Sequence, residues 1–190
     1  LGYEQVRKKN GYYNIGISDH NRILEMVKEY NPALIGITCN FTTYTKVVFE
    51  IANLLKEHFS RVPLVIGGAH ATMDAENLLS KCCQADIVVR GEGEVTFNEL
   101  VERIENNKDY HNIPGLTYRY KDKIISTPNR PLLPDINILP IPDRNYILQD
   151  AYSKINTKMY FLSKGKRIAS IMTSRGCPFN CVFCSTKIVW

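Results

Sequence analysis

The sequence predicts an α/β fold, a doubly wound parallel sheet with helices on both faces. Three observations carry this. Strands are expected at residues 34–37, 64–66 and 86–89, built on short apolar runs with the length and hydrophobicity of strands buried on both faces. Between them lie segments of helical length whose apolar residues recur at three- and four-residue spacing. Strand and helix alternate, and a strand followed by a crossover helix pairs with a parallel neighbour.

Taken in order, a short amphipathic helix is expected over residues 3–10, ended by Gly11. Residues 12–17 read as a strand. Ser18 or Asp19 is placed to cap the next helix, with Ile23, Met26, Val27 and Tyr30 as its apolar face and Asn31-Pro32 as its stop. After the strand at 34–37, a helix over 45–59 turns Val47, Val48, Ile51, Leu54 and Leu55 inward. The strand at 64–66 ends in Gly67-Gly68. A helix over 74–82, the strand at 86–89 and a helix opened by Gly91-Glu92-Gly93-Glu94 and running to about residue 106 follow. Residues 115–120 and 123–126 read as a hairpin around Lys121-Asp122. Residues 128–142 hold five of the nine prolines, the composition of a semi-extended linker. A short helix is expected over 144–152, and residues 168–172 repeat the buried-strand pattern. The order is flavodoxin-like (Rossmann-type), except that such a sheet opens on a strand and this chain opens on a helix. A strand ahead of Leu1 is therefore expected.

Composition bounds the function. The chain has 190 residues, 44% hydrophobic and 23% charged, a normal globular balance. No apolar run is long enough to span a bilayer, and the polar start excludes a secretion signal, so no membrane span and a cytoplasmic location are expected. Six cysteines in a chain of this size, several clustered, do not form a disulfide framework and suit a reducing compartment. The net charge of +5 is uneven: residues 151–190 hold seven Lys and Arg and no Asp or Glu, leaving the rest slightly acidic. A basic segment suits nucleic acid or an anionic substrate. Its basic residues are not interleaved with stacking aromatics in a recognisable nucleic-acid pattern, so a solvated strand and loop is the favoured reading and nucleic acid is disfavoured.

Right-handed crossovers place every strand's carboxyl end on one edge of the sheet, where such folds bind ligands. Three loops should meet there: Thr38-Cys39-Asn40-Phe41-Thr42-Thr43, Gly67-Gly68-Ala69-His70-Ala71-Thr72 and Arg90-Gly91-Glu92-Gly93-Glu94. Gly67-Gly68 permits close backbone approach, and the threonines offer hydroxyls near a helix N-terminus. Any one of these loops reads equally well as a turn chosen for its geometry.

The remaining signal is Cys177-Pro178-Phe179-Asn180-Cys181-Val182-Phe183-Cys184, a C-x3-C-x2-C spacing behind Ser174-Arg175-Gly176. Three thiolates this close suit three irons of a [4Fe–4S] cluster with the fourth iron open. Zinc is the competing reading, but zinc sites are usually built from two separated pairs, and no second pair exists.

Ser-Arg-Gly-Cys-Pro-x-x-Cys-x-x-Cys, with Phe183 before the last cysteine, resembles the signature of radical S-adenosylmethionine enzymes. In that family the open iron binds S-adenosylmethionine, and reductive cleavage gives a 5′-deoxyadenosyl radical. The resemblance makes Cys177, Cys181 and Cys184 the metal ligands. The upstream loops resemble the cobalamin-binding subfamily, which carries Gly-Gly-Pro-His-Pro-Thr and Arg-Gly-Glu-Gly-Glu; here Ala69 and Ala71 replace the prolines. The linker and Ile141-Pro142-Asp143-Arg144 share the likeness, which spans roughly residues 17–184.

The resemblance implies cobalamin contacts from Thr38, Asn40, Thr42, Thr43, Gly67, Gly68, His70, Thr72, Gly91, Glu92, Gly93 and Glu94. It assigns no catalytic residue. Asp19-His20 lacks the Asp-x-His-x-x-Gly pattern of methionine-synthase-like domains, so His20 reads as a helix N-terminal residue and His70 as a residue lining the corrin. His58 and His111 read as plain surface positions, and Cys39, Cys82 and Cys83 as buried structural cysteines.

The implied organisation is a cobalamin-binding-like domain over 1–110, a hairpin and linker over 111–165, and over 166–190 the start of a radical S-adenosylmethionine β/α barrel. Relatives such as the anaerobic magnesium-protoporphyrin ester cyclase perform ring oxidation, and others methylate. The implied partners are a small-molecule substrate in the remainder of the barrel and a reductant such as flavodoxin or ferredoxin. Two alternatives stay open: a cobalamin-free docking module, and a methylthiotransferase acting on RNA with a second cluster at Cys39 and Cys82 or Cys83.

Overall fold

The computed structural model describes residues 5–9, 12–16, 20–143 and 172–189. They fall into two compact units: those before Asn31 together with Asp135 to Ser174, and those from Asn31 to Pro134 together with Arg175 onward.

In the first unit, β1 (Gln5–Lys9) pairs antiparallel with β2 (Tyr12–Gly16), in register from Gln5 opposite Gly16 to Lys9 opposite Tyr12. The helix expected over 3–10 is therefore a strand where the chain is described. The register leaves Asn10-Gly11 between the last paired residues, and Asn-Gly is the dipeptide most favoured in a two-residue hairpin connection. Asn10 and Gly11 themselves lie outside the described residues. Helix α1 (His20–Tyr30) starts at His20 as expected and buries Ile23, with Met26 and Val27 half-buried. Tyr30 does not complete the apolar face: it is 76% exposed at the helix's last position. Asn31 follows at φ 43°, a left-handed conformation asparagine tolerates. The expected caps Ser18 and Asp19, the helix over 144–152 and the strand over 168–172 lie outside the described residues, apart from Met172, which is in no regular element. Part of the Pro-rich segment forms one 3-10 turn at Ile136–Ile138, where the Asp135 carboxylate accepts from the Asn137 N–H at 2.9 Å.

The second unit is built on a five-stranded sheet ordered β3-β4-β5-β6-β7. Strands β3 (Ile35–Thr38), β4 (Leu64–Gly67) and β5 (Ile87–Val89) are parallel, in the register Ile37 to Ile66 to Val88. Helix α2 (Thr45–His58) links the first two, while α3 (Ala69–Met73) and α4 (Ala75–Lys81) link the second pair. Helix α5 (Gly93–Glu105) follows β5, and β6 (Leu116–Tyr120) and β7 (Lys123–Ser126) close the sheet antiparallel.

The sheet is thus mixed, not wholly parallel. After α5, residues 106–115 climb back along the sheet without a helix, so β6 descends beside β5, Val89 opposite Leu116 and Ile87 opposite Tyr118. The expected hairpin forms around Lys121 at φ 54° and is part of the sheet.

Burial follows the strand alternation. Val65, Ile87 and Val89 join Leu100 of α5, Ile113, Leu116 and Tyr118 in one core cluster. Leu64, Ile66 and Val88 alternate to the opposite face, where α3 and α4 contribute buried Ala71, Ala75, Leu78 and Leu79. Each fully buried Leu or Ile contributes about 1.5–3 kcal/mol relative to exposure. On α2 the buried stripe is Val48, Ala52 and Leu55; Val47 is exposed, contrary to expectation, because it lies one step off that stripe. Strand β3 is an edge strand among the described residues. Ile35 and Ile37 are half-buried while Gly36 and Thr38 are open, so its apolar run does not mark a centre strand.

Candidate functional site

The three loops predicted to share the carboxyl edge do meet there, and hydrogen bonds fasten them side by side. Beyond β3, the Cys39 N–H donates to the Gly67 carbonyl at 2.7 Å, extending the ladder by one step. The Cys39 carbonyl accepts from the N–H groups of His70 (3.1 Å) and Ala71 (3.3 Å), and the Asn40 side-chain oxygen accepts from the Ala69 N–H at 3.3 Å. These three bonds occupy N–H donors of α3's first turn that have no partner within the helix. Residues expected to form a loop after Gly68 are therefore helical. Thr42 Oγ1 and His70 Nδ1 are 3.2 Å apart. Thr72 Oγ1 donates to the Gly68 carbonyl at 3.0 Å and accepts from the Gly91 N–H at 3.0 Å, tying the second loop to the third.

The glycines divide by role. Gly68 has φ 102°, and a Cβ there would lie 2.6 Å from Asn40 Oδ1 and 2.8 Å from the Cys39 carbonyl oxygen. It is required by packing within the loops themselves. At Gly67 a Cβ would make ordinary contact, 3.9 Å from the Val89 carbonyl. Gly91, at φ 70°, faces open space, the arrangement in which bare backbone is available to a ligand. Gly93 begins α5 and meets only Val89 at ordinary distance.

The surface of this edge is both polar and apolar. Thr38, Asn40, Thr42 and Thr43 are exposed, and so are Phe41 and Tyr44 at 61% and 56%, their rings edge-to-face at 5.6 Å. The apolar pair went unnoticed in the sequence, because an aromatic in a short loop has no periodicity to flag it. A flat macrocycle fringed with amides needs this mixture of ring surface, hydroxyls and bare backbone. Thr38, Asn40, Thr42, Thr43, Phe41 and Tyr44 are the exposed groups of that kind on this edge, and Gly91 meets no neighbour where a Cβ would stand.

Glu92 and Glu94 are otherwise engaged. Glu92 Oε1 accepts from Arg175 Nη1 at 3.0 Å and its Oε2 from the Leu133 N–H at 2.7 Å; its side chain is 9% exposed. Glu94 accepts from Arg175 Nη2. The two carboxylates, Glu94 foremost, hold the Arg175 guanidinium above its ordinary range. Arg90 turns inward: it donates to the carbonyls of Leu116 (3.2 Å) and Thr127 and to Asn129 Oδ1 at 2.5 Å. Its buried Nε has no hydrogen-bond partner among the described residues, and burial lowers its pKa.

Cys177, Cys181 and Cys184 are exposed free thiols, the last two on a turn closed by the Cys184 N–H to the Cys181 carbonyl at 3.0 Å. The Thr186 hydroxyl, 3.1 Å from Cys184 Sγ, and the Thr186 backbone draw that thiol below the ordinary range. Thiolates are the right donors for iron. As placed, however, they do not converge: among the described residues no group of three His, Cys, Asp or Glu is close enough to hold a metal ion. The loop is followed by α6 (Thr186–Val189), which touches α3 and buries Val189.

Other sequence expectations divide. Cys39 and Cys82 are buried, and burial raises both thiols, but Cys83 is exposed. Cys39 lies past the carboxyl end of β3 and Cys82 before the start of β5, on opposite edges of the sheet, so they cannot share a second cluster. His58 is exposed as expected. His111 is not a plain surface residue: it pairs with Asp109 and packs on the rings of Tyr110, Tyr118 and Tyr120 at 4.7, 4.8 and 5.2 Å. A polar pocket of about 410 Å³ lies between the start of α4 and the β6–β7 hairpin, lined by Thr72, Asp74, Glu76, Arg90, Thr117 and Ser126 among others. Among the described residues no helix is long and apolar enough to cross a membrane.

Comparison with known proteins adds an independent line. Residues 11–101 match the family model of the B12 binding domain. The chain is 36% identical over 166 residues to an uncharacterized methyltransferase of Pyrococcus horikoshii, covering 87% of this chain and 34% of that protein. It is 29% identical over 171 residues to the anaerobic magnesium-protoporphyrin IX monomethyl ester cyclase of Synechocystis, covering 90% and 32%. The chain thus spans about a third of the length of these relatives. In fold it resembles the radical S-adenosylmethionine methyltransferase TsrM of Kitasatospora setae, solved with cobalamin and a [4Fe–4S] cluster, with TM-score 0.53 and 23% identity over 57% of this chain and 22% of that one.

Proposed function

Residues 11–101 are a B12-binding domain, and from that premise we propose that the chain is the cofactor-presenting part of a cobalamin-dependent radical S-adenosylmethionine enzyme. One observation carries the reading. The three loops at the carboxyl edge are fastened into a single surface by Asn40 to Ala69, Thr42 to His70 and Thr72 to Gly91. A preformed surface binds without the entropic cost of ordering its loops.

On this surface Phe41 and Tyr44 offer ring faces and Thr38, Asn40, Thr42 and Thr43 polar atoms for a corrin's amides. Gly91 leaves an open face at its Cα, its N–H being held by Thr72, and Thr42 Oγ1 lies 3.2 Å from His70 Nδ1. Cobalamin, when bound, supplies carbon–cobalt chemistry, with the protein contributing orientation and electronics. The C-x3-C-x2-C spacing and the relatives support a [4Fe–4S] cluster that binds S-adenosylmethionine at its open iron. A methyl transfer or ring oxidation on a small-molecule substrate, with electrons from a flavodoxin or ferredoxin, would belong to the whole enzyme, of whose relatives this chain spans about a third.

The test is titration of the purified chain with hydroxocobalamin, followed by its visible spectrum. Saturable one-to-one binding is expected. Gly68 is a poor probe, since any side chain there collides with Asn40 and Cys39. Thr38→Trp is a better one, because Thr38 is exposed at the strand end and a ring there blocks the edge without disturbing the core. A cobalamin-free docking module would bind no cobalamin, with or without that substitution.

A further inference from the structure

We propose that Arg175 is a positioning residue: a latch that seats the cysteine loop on the carboxyl edge of the sheet through Glu92 and Glu94. The two glutamates then serve the cysteine segment and not the corrin. This rests on the reading above for its purpose, but not for its geometry.

Three features carry it. First, the guanidinium forks across two carboxylates on α5's first residues and the one before them, Nη1 to Glu92 at 3.0 Å and Nη2 to Glu94. A planar fork is the geometry arginine offers and lysine does not. Second, the Glu92 arm of the fork is largely out of water, while the Glu94 side chain is 38% exposed. The side chains of Arg175 and Glu92 are 20% and 9% exposed, and the second oxygen of Glu92 is taken by the Leu133 N–H at 2.7 Å. Both oxygens of Glu92 are thus engaged by segments that pass over α5's start. Third, the loop is held at its far side as well, where α6 packs on α3 and buries Val189. The exposed thiols of Cys177, Cys181 and Cys184 hang between these two fixed points. The latch fixes the start of the loop on Glu92 and Glu94 and leaves the three thiols exposed between its two anchors. It also accounts for a spacing the sequence leaves unexplained, why Arg stands two residues before the first cysteine and Glu at alternate positions of the third loop.

The test uses the full chain and needs neither cofactor. Amide hydrogen exchange is measured in Arg175→Gln, Glu94→Gln and the double variant. Exchange over residues 176–189 should quicken about 10-fold or more in Arg175→Gln, while β4 and β5 stay protected. The double variant should exchange no faster than Arg175→Gln alone, the non-additivity of two residues acting as one pair. Arg175→Lys should fall between wild type and Arg175→Gln. Wild-type protection in Arg175→Gln, or additive effects in the double variant, would overturn the proposal. A second reading separates the glutamates from the corrin: hydroxocobalamin affinity of Glu94→Gln should stay within about 3-fold of wild type, and a 10-fold loss would return Glu94 to the cofactor. If the wild-type chain takes no cobalamin, the functional proposal fails while the exchange result still decides the latch.

Discussion

Thr72 and Gly91 are joined by a single hydroxyl: Thr72 Oγ1 accepts from the Gly91 N–H at 3.0 Å while donating to the Gly68 carbonyl at the same distance. One side chain thereby sets the spacing of two loops that share no other side-chain bond among those described. Thr72→Val keeps the shape and removes both bonds. It should cost about 1–3 kcal/mol by urea unfolding, since the Gly91 N–H loses its protein partner, and should weaken cobalamin binding with it.

Gly68 and Gly91 have similar positive φ values but different surroundings. Gly68→Ala places a methyl within 3 Å of two oxygens, whereas Gly91→Ala meets nothing within 4 Å. Gly91→Ala carries the positive-φ penalty of about 1–2 kcal/mol, whereas Gly68, at φ 102° and ψ 175°, sits in a region essentially reserved for glycine. Gly68→Ala should therefore be destabilised by at least 1 kcal/mol more than Gly91→Ala in paired denaturant titrations. Equal losses would mean the collision is relieved by loop movement.

The cysteines should separate by reactivity. Thr186 lowers the Cys184 thiol, and burial raises those of Cys39 and Cys82. The thiolate is the nucleophile, so a lowered pKa moves the rise of the alkylation rate to lower pH. In the folded chain, Cys184 should reach half-maximal iodoacetamide reactivity below the ordinary thiol value of about 8.5, while Cys39 and Cys82 stay unmodified. Thr186→Val should shift the Cys184 profile upward. Peptide mass spectrometry at a series of pH values reads all of these.

Leu100 anchors α5 to the sheet in the cluster with Val65, Ile87 and Leu116. Leu100→Ala should cost about 2–5 kcal/mol by denaturant unfolding. Tyr30→Ala, at an exposed helix end, should stay within about 0.5 kcal/mol.

These outcomes bear on what the chain's residues reveal unaided. Parallel β3, β4 and β5 are legible because an apolar run between amphipathic helices admits few other arrangements. So is the meeting of three loops at one edge, which follows from crossover handedness. The first hairpin was obscured by a Gly11 that suits a helix end as well as an Asn-Gly turn. The antiparallel join of β5 to β6 was hidden because periodicity reports a strand without its direction. At the site, Gly68 was legible as necessary but not for the right reason: only coordinates tell a glycine needed by its neighbours from one left open to a ligand. The Arg175 ion pairs, 81 and 83 positions apart in sequence, have no local signature at all.

The most direct measurement is hydroxocobalamin titration of the full chain beside Thr38→Trp, with folding of both verified by circular dichroism. The account predicts one-to-one, saturable binding by the wild-type chain and at least a 10-fold weaker affinity in a normally folded Thr38→Trp variant. A folded wild-type chain that leaves the cobalamin spectrum unchanged, or a Thr38→Trp variant that binds as tightly as wild type, would contradict it.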